Sequence, residues 1–442
     1  MNMSRRIFSS LLLSIILLTA AGLGANAQTY GSYTPYSIFG VGDLASPGNA
    51  YNKTMGGVGI ANRSHRFLNP LNPASITARD TLSFMADYSL FQDNKIFRQG
   101  DMHSASNTFN ITDCMISFPI WKTSAMMIGI MPYSDTGYGY GYLVTDPNII
   151  GNTGNVAYTA SGSGSLYQAF AAVGVTFWRR LSLGAEFIYH FGKIEKKYYE
   201  TFSEASFNGA SNGHVLQLTA PAAKVGIQYE QPLGTKSSLT LGATYKTAAR
   251  LSGNIESYRY STGTAASDTL YYKSGVPGNV TLASEKGVGL CFRYADKFMA
   301  EVDYTRSDWR NTGIDVREGM TGNTMAGTTA SVFTAALSES YRVGVEYVPN
   351  RSDIRYYYKK IAYRAGAYWK KDYFMLDGNP VNAYGITLGA TLPVFRFYNG
   401  ITVGMDFGQR GSIKNNMIRE TYCNFSIGFN LHDIWFVKNR YE

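Results

Sequence analysis

Residues 181–191 read LSLGAEFIYHF, and this stretch decides the fold class. Leu183, Ala185, Phe187 and Tyr189 alternate with residues that are mostly small or polar. Strict alternation predicts a β-strand with one apolar and one polar face. Its length also matches the ~9–11 residues with which a tilted strand crosses a bilayer. We therefore predict that this stretch is a membrane-crossing strand.

The same alternation recurs along the chain and predicts about fourteen strands, an even number as single-chain bacterial barrels have. Short connections such as 120–123 alternate with long ones such as 133–164, as expected for periplasmic turns and outer loops. The predicted fold class is an all-β, transmembrane antiparallel barrel. The strands are expected near 81–91, 108–119, 124–132, 165–178, 181–195, 221–232, 238–250, 284–295, 297–306, 339–348, 357–370, 382–392, 398–408 and 420–431.

Composition argues against an ordinary soluble protein and against a helical membrane protein. Charged residues make up 16% of the chain, against ~25% in ordinary soluble domains. The chain contains 34 tyrosines and 46 glycines, and it has no long apolar run after its first residues. The formal net charge of +9 suits contact with anionic outer-membrane lipid or lipopolysaccharide. No nucleic-acid partner is expected.

The N-terminus carries the features of a secretory signal peptide. Arg5 and Arg6 precede an apolar run over 11–18, and Ala25-Asn26-Ala27 forms a small-residue cleavage site. Residues 1–27 are therefore expected to be removed, so that the mature chain begins at Gln28.

Residues 56–76 read GGVGIANRSHRFLNPLNPASI and have neither strand nor helix periodicity. Their glycines give backbone freedom, and each Asn-Pro pair predicts a turn. Because such a segment cannot form a core alone, we expect residues 28–80 to form a hatch that plugs the barrel of residues 81–442. The hatch residues singled out are Gly56, Gly57, Gly59, Asn72, Pro73 and Ala74.

The predicted inner faces carry both signs of charge, among them Glu186, Asp303 and Arg342, and also an apolar patch. The charged side chains either pair with each other and the hatch, or are simply wetted by the lumen. The patch either binds apolar ligands, since methionine adapts to varied shapes, or packs against the hatch. Its residues are Met85, Met115, Met127, Phe170 and Ile188.

The sequence gives little indication of a catalytic site or a metal site. The five histidines are scattered without metal-ligand spacing, and neither a metal nor a cofactor is expected. A lipid-hydrolysing barrel would need a histidine beside a serine on the lipid face. His190 is the only histidine inside a predicted strand, and its position points to the lumen. We expect no enzyme.

Several short motifs resemble the FadL-type transporters of long-chain fatty acids and hydrocarbons in Gram-negative outer membranes. The segment 56–76 with Asn72-Pro73-Ala74 resembles the family's N-terminal hatch. The stretches 241–246 (LGATYK), 300–309 (AEVDYTRSDW) and 341–344 (YRVG) resemble its barrel strands. The opening 35–44 and the tail 433–438 look like barrels of the Bacteroidetes, although the final Tyr441-Glu442 departs from the family's usual aromatic end.

The resemblance implies a monomer whose hatch blocks the lumen. Hydrophobic small molecules would be captured by the outer loops, held at an inner site and released sideways into the membrane. The opening would lie beside the third strand, 124–132, where Gly129 and Pro132 are possible sources of distortion. Tyr138, Tyr140 and Tyr142 are placed in a loop, as a landing patch or as loop packing. A barrel like the type IX secretion shuttle, with a periplasmic or secretion partner, is the alternative.

Overall fold

The computed structural model describes residues 31–79, 82–204, 206–263, 267–322, 332–394 and 399–434. The predicted signal peptide, the first three residues of the predicted hatch and most of the tail 433–438 lie outside these ranges.

Twenty strands dominate the described chain. In chain order they are β1 Asp43–Leu44, β2 Ser83–Gln99, β3 Met102–Trp121, β4 Ser124–Val144, β5 Val156–Phe177, β6 Leu181–Phe202, β7 Gly209–Pro232, β8 Ser237–Lys246, β9 Ala249–Arg250, β10 Ser252–Thr262, β11 Ser267–Gly275, β12 Thr281–Leu282, β13 Glu285–Tyr294, β14 Phe298–Asp308, β15 Phe333–Ala335, β16 Leu337–Tyr347, β17 Ala362–Leu376, β18 Asn379–Pro393, β19 Gly400–Gly411 and β20 Arg419–Ile434.

The helices are short. Two α-helical turns span Ala50–Lys53 (α1) and Pro147–Ile150 (α2). Within the described ranges, no helix is long and apolar enough to cross a bilayer. The 3-10 turns cover Pro35–Ile38, Pro73–Thr77, Tyr357–Lys359 and Lys414–Asn416.

The sheet closes on itself as a fourteen-stranded antiparallel barrel. Its wall consists of β2–β8, β13, β14 and β16–β20, and the first strand pairs with the last over Ser83↔Ile434 to Arg98↔Arg419. β8 continues beyond a break as β9 and β10, which pair with β12 and β11 above β13. The predicted transmembrane barrel of about fourteen strands is therefore confirmed.

The alternation of 181–191 becomes the two faces of the wall. Phe187 and Tyr189 are exposed on the outside, whereas Ser182, Glu186 and His190 are buried on the lumen side. Other strands likewise turn Leu241, Val302, Ile386 and Leu431 outward. A lipid-facing band next to a polar lumen is the arrangement that allows such a sheet to span a membrane.

The predicted long loops are largely wrong. β4 continues to Val144 and β5 begins at Val156, so the predicted loop 133–164 is mostly strand. The expected loops 92–107, 196–220 and 371–381 are likewise mostly strand. Tyr138, Tyr140 and Tyr142 lie on β4, not in a loop, because tyrosine and glycine alternate there with strand periodicity. These strands are longer than a bilayer requires, and the predicted loops correspond to the strand ends that project beyond it.

The N-terminal segment, of which residues 31–79 are described, lies inside the barrel. Residues 49–62 are almost all buried, and they contact lumen-facing residues of several strands. Gly56 and Gly57 adopt φ of +70° and +80°, the left-handed region that glycine tolerates best. The N–H of Gly56 donates to Thr387 Oγ1 at 2.7 Å, so the turn is fixed against β18.

Lumen-facing glycines clear space for this segment. A Cβ on Gly184 would meet the Pro73 carbonyl carbon, one on Gly242 the Ile60 carbonyl oxygen, and one on Gly366 the Met55 carbonyl carbon. The contacts on the segment's side are backbone atoms, which cannot rotate away. The strands therefore carry glycine where the segment approaches them most closely.

We expect Gly184→Ala to lower the free energy of unfolding by about 1–3 kcal/mol, the usual cost of overpacking. Urea unfolding of the purified barrel measures the change. Gly275→Ala on β11 is the matched control, because nothing lies within 4 Å of its Cβ position, and it should stay within about 0.5 kcal/mol of wild type. Equal losses in both variants would contradict the steric explanation.

Candidate ligand cavity

Two acidic side chains of β14 hold the glycine-rich turn. Asp303 Oδ2 accepts the N–H groups of Gly59 at 2.7 Å and Ile60 at 3.0 Å. Glu301 Oε1 accepts the N–H of Ala61 at 2.8 Å. Two neighbouring side chains of one strand thus satisfy three consecutive backbone N–H groups, so β14 is a main anchor of the segment.

The asparagines set the turns that the sequence predicts. Asn72 Oδ1 accepts the Ala74 N–H at 3.0 Å and caps the 3-10 turn Pro73–Thr77. Asn69 Oδ1 accepts the Leu71 N–H at 3.1 Å. Asn72 Nδ2 also donates to the Ile60 carbonyl at 2.7 Å, which ties the two ends of the segment together.

Near the short turns, charged residues of the wall pair with each other and with the segment. Arg364 and Arg351 both bind Glu346, at 2.9 and 2.8 Å. The Arg364 guanidinium also lies over the Tyr51 ring at 4.5 Å, and Arg63 reaches Glu230 at 3.3 Å. For these residues, the expected pairing describes the lumen better than the wetted alternative.

A cavity of about 240 Å³ lies between the segment and the wall. Its segment side is formed by residues 44–48, Lys53, Gly56, Gly57, Ile60, Pro70 and Leu71. Apolar wall residues include Phe91, Met131, Tyr133, Phe170, Ile188 and Trp309. The charged lining residues are Lys53, Glu186, Lys224, Lys246, Glu285, Asp303, Arg342, Lys370 and Asp406.

Three of the cations are not engaged in close ion pairs. Lys224 contacts Glu186 at 3.9 Å and Lys370 contacts Asp372 at 2.9 Å. Among the described residues, no carboxylate lies within 4.0 Å of the charged end of Lys53, Lys246 or Arg342. Lys53 and Lys246 instead lie over the rings of Phe91 and Tyr133, at 4.8 and 4.9 Å. The cavity therefore combines an apolar wall with available positive charge.

Burial lowers the pKa of Lys53 to about 8, although Asp113, Asp135 and Asp406 act in the opposite direction. Removal from water disfavours the ammonium form, and the nearby carboxylates offset that cost only partly. Lys53 is thus poised to lose its charge just above neutral pH.

All five residues of the predicted ligand patch belong to one buried cluster, which also contains Ile76 of the segment. Phe170 and Ile188 line the cavity as well, whereas Met85, Met115 and Met127 do not. Ligand binding by these residues remains a prediction.

The wall is incompletely paired beside the predicted third strand. Pairing between β3 and β4 stops at Cys114↔Ile130. Above that point β1 lies along β4, with Asp43↔Asp135 and Leu44↔Ser134. Pro132 marks a register shift against β5, and a Cβ on Gly129 would lie 2.7 Å from both Met115 Cγ and Phe170 Cζ. The two residues singled out as sources of distortion therefore lie where β3 and β4 part.

Several site features escaped sequence reasoning. Lys53 lies in a non-periodic segment, and Tyr133 and Trp309 lie in stretches assigned to loops, so strand periodicity did not indicate which way their side chains face. The statement that His190 is the only histidine in a strand is wrong, since His103, His214 and His432 lie in β3, β7 and β20. His190 does face the lumen, at 2% exposure. Among the described residues, no cluster of three or more histidine, cysteine, aspartate or glutamate side chains is arranged to hold a metal ion.

A closed barrel of fourteen strands that holds an N-terminal segment in its lumen and is incompletely paired beside the third strand defines the class of plugged transmembrane β-barrels. The family model described as BamG matches residues 3–442, and the chain belongs to the BamG family. No curated protein matches the sequence.

Solved structures agree on the fold. The chain is similar to the toluene transporter TodX of Pseudomonas putida, with TM-score 0.61 and 13% identity over 90% of this chain and 100% of that one. It is similar to the toluene transporter TbuX of Ralstonia pickettii, with TM-score 0.57 and 12% identity over 86% and 97%. It is also similar to a FadL homologue of Pseudomonas aeruginosa, with TM-score 0.55 and 11% identity over 90% of this chain and 99% of that one. At these identities the likeness shows the fold alone.

Proposed function

We propose that this protein resides in the outer membrane and admits hydrophobic molecules, fatty acids or other hydrocarbons, by passive diffusion. The observation that carries the proposal is the cavity between the N-terminal segment and the wall, beside the place where β3 and β4 part. Capture at the outer rim, binding in the cavity and sideways release would keep an apolar molecule out of water throughout. The protein acts as a monomer and not as an enzyme.

The charges of the cavity support one kind of ligand within that class. Lys53, Lys246 and Arg342 lie beside apolar walls without close carboxylate partners. An unpaired buried cation is unfavourable, and an anionic head group relieves that cost. We therefore favour an amphiphile with an anionic head, such as a fatty acid, over an uncharged aromatic hydrocarbon such as toluene.

Mass spectrometry of the barrel extracted gently from its native membrane tests the function. A stoichiometric fatty acid or other hydrocarbon supports transport. A retained protein without an apolar ligand would favour the shuttle-like alternative instead. One observation speaks for that alternative. β4–β7 have 21–24 residues, well beyond bilayer length, and with β10 and β11, which continue the sheet from β7, they offer a surface to a protein partner.

We expect Lys246→Met to weaken binding of a fluorescent fatty acid to the purified barrel at least tenfold, about 1.4 kcal/mol. Lys246 faces the cavity, so its charge acts directly on the head group. Lys286→Met is the matched control, because Lys286 is exposed on the neighbouring strand β13. Equal affinities in the two variants would exclude Lys246 from the site.

Binding should also depend on pH through Lys53. Its pKa is lowered to about 8, so the ammonium group is present below that pH and lost above it. We expect fatty-acid affinity to fall as the pH rises from 7 to 10, and Lys53→Met to flatten that part of the profile. The same fluorescence titration, repeated across the range, measures it. An unchanged slope in the variant would assign the pH dependence to another group.

A further inference from the structure

The seam at which the barrel closes carries a shallow groove on its outer surface. The groove has a volume of about 580 Å³ and lies across β2, β3, β19 and β20. Its outward-facing lining includes Ile96, Ala105, Phe407, Thr421 and Cys423. Ile96 and Phe407 are 58% and 43% exposed, so this face of the seam points to the membrane. Neither the lumen segment nor the proposed transport path uses the groove.

An interruption of the strand pairing lies beneath the groove. Direct pairing of β2 with β20 reaches Gln92 and resumes only at Lys95. Between these residues, the N–H of Asn94 donates to Asn424 Oδ1 at 2.9 Å, and Asn94 Nδ2 donates to the Cys423 carbonyl oxygen at 2.9 Å. Asparagine side chains therefore replace direct strand pairing in this part of the closing seam.

Two arginines lie opposite each other just above the groove. Arg98 of β2 pairs with Arg419 of β20, and Arg98 comes two residues after Ile96 of the groove. The adjacent Phe97 and Glu420 are buried, at 4% and 0% exposure. Because side chains alternate between the faces of a strand, both arginines turn towards the same outer face as the groove.

No acidic side chain balances this pair. Among the described residues, neither guanidinium lies within 4.0 Å of a carboxylate, and Arg98 Nε donates to the Gly100 carbonyl oxygen at 3.2 Å. The residue opposite Arg98 on β3 is His103, which adds no negative charge. Like charges directly opposite on a sheet are destabilising, and an anion bound between the two arginines relieves that repulsion. Phosphate suits such a position, since arginine can offer it two parallel hydrogen bonds.

The height of the groove in the membrane indicates what kind of anion reaches it. Ser83 begins β2 at the end of the barrel where a short turn joins β3 to β4, the end expected to face the periplasm. A tilted strand crosses the hydrocarbon layer in ~9–11 residues, so β2 leaves that layer near Asp93. Ile96 and Arg98 therefore lie at the level of the outer-leaflet head groups, with the apolar groove directly below the charged pair.

We propose that the groove and the arginine pair bind a lipopolysaccharide molecule of the outer leaflet. A phosphate of its lipid A, the phosphorylated and acylated anchor of that molecule, lies between Arg98 and Arg419. One acyl chain lies in the groove beside Phe407 and covers the part of the seam that the asparagines bridge. The inference rests on the position of the barrel in the outer membrane and not on the transport function.

The test titrates lipid A into the full-length barrel after its lipids have been exchanged for detergent, and native mass spectrometry counts the bound molecules. We expect the double variant Arg98→Gln, Arg419→Gln to bind at least about tenfold more weakly than wild type, because both charge-assisted contacts are lost. Arg259→Gln is the matched control, since Arg259 is exposed on β10, away from the seam, and donates to Asn212. It should bind as wild type does. Equal binding by the double variant and wild type, or equal weakening in the control, overturns the proposal.

Two further measurements separate the phosphate contact from the groove. Dephosphorylated lipid A should bind wild type at least about tenfold more weakly than lipid A, whereas millimolar inorganic phosphate should not displace lipid A. Displacement by inorganic phosphate would show a site for a free anion and would overturn the assignment to a lipid. Ala105→Trp fills the groove without changing any charge and should also weaken lipid A binding. Unchanged binding by this variant would overturn the role of the groove, and a gel shift between unheated and heated samples confirms that each variant has folded.

Discussion

Liposomes containing a variant that lacks residues 55–74 are expected to leak small polar solutes at least tenfold faster than liposomes with the full-length barrel. These residues fill the lumen against β6, β8, β14 and β17. The wall is closed by its own hydrogen bonds, so it is expected to persist after the deletion. The predicted hatch role of the segment rests on this result.

The leak is measured by liposome swelling with sugars of increasing size. Full-length protein reconstituted at the same density is the reference, and a gel shift between unheated and heated samples confirms that the variant has folded. Unchanged permeability in a folded variant would show that the segment is not what seals the lumen.

The second large effect is expected from removal of the two acidic anchors on β14. The double variant Glu301→Ala, Asp303→Ala loses three hydrogen bonds to the backbone of Gly59, Ile60 and Ala61. A hydrogen bond contributes about 0.5–1.5 kcal/mol, and a buried donor left without a partner costs about 1–3 kcal/mol. Relief of two adjacent buried carboxylates offsets part of this, so we expect a net loss of about 3 kcal/mol in urea unfolding, together with a raised leak.

Two controls interpret that loss. Asp308 lies on the same strand but is exposed, and its only ion pair within the described residues is with Arg310. The effect of Asp308→Ala should therefore stay within about 1 kcal/mol. The variant Glu301→Gln, Asp303→Asn keeps acceptor oxygens. It should therefore lose less than half as much free energy of unfolding as the double alanine variant loses. If the amide variant loses as much as the alanine variant, the anchor acts through charge and not through hydrogen bonding to the turn.

Sequence periodicity predicted the wall well because lipid on one side and a polar lumen on the other impose a two-residue repeat. The stretch 181–191 and its counterparts 239–245 and 401–407 all form the strands expected of them. The same reasoning placed Glu186, Asp303 and Arg342 on inner faces, and all three line the cavity. It underestimated strand length, because above the bilayer the apolar half of the repeat is no longer required.

The cavity was less predictable, because it depends on which side chains meet across the lumen. Met85, Met115 and Met127 have the same inward parity as Phe170 and Ile188, and all five pack in one cluster with Ile76, yet only Phe170 and Ile188 also line the cavity. No periodicity predicts where the Lys53 side chain points, since α1 is a single helical turn in a non-periodic segment. Contacts between separate elements of the chain, such as that of Lys53 with Phe91, decide both outcomes.

The sequence by itself determined the barrel, its fourteen strands and the presence of a separate segment rich in glycine and Asn-Pro turns, because these follow from local periodicity and backbone preference. Only the tertiary structure decided how the segment is held. The acceptors for Gly59, Ile60 and Ala61 lie some 240 residues away, and the glycines that admit its backbone lie on β6, β8 and β17. Pairing of this kind depends on the register in which the barrel closes, and local sequence does not encode that register.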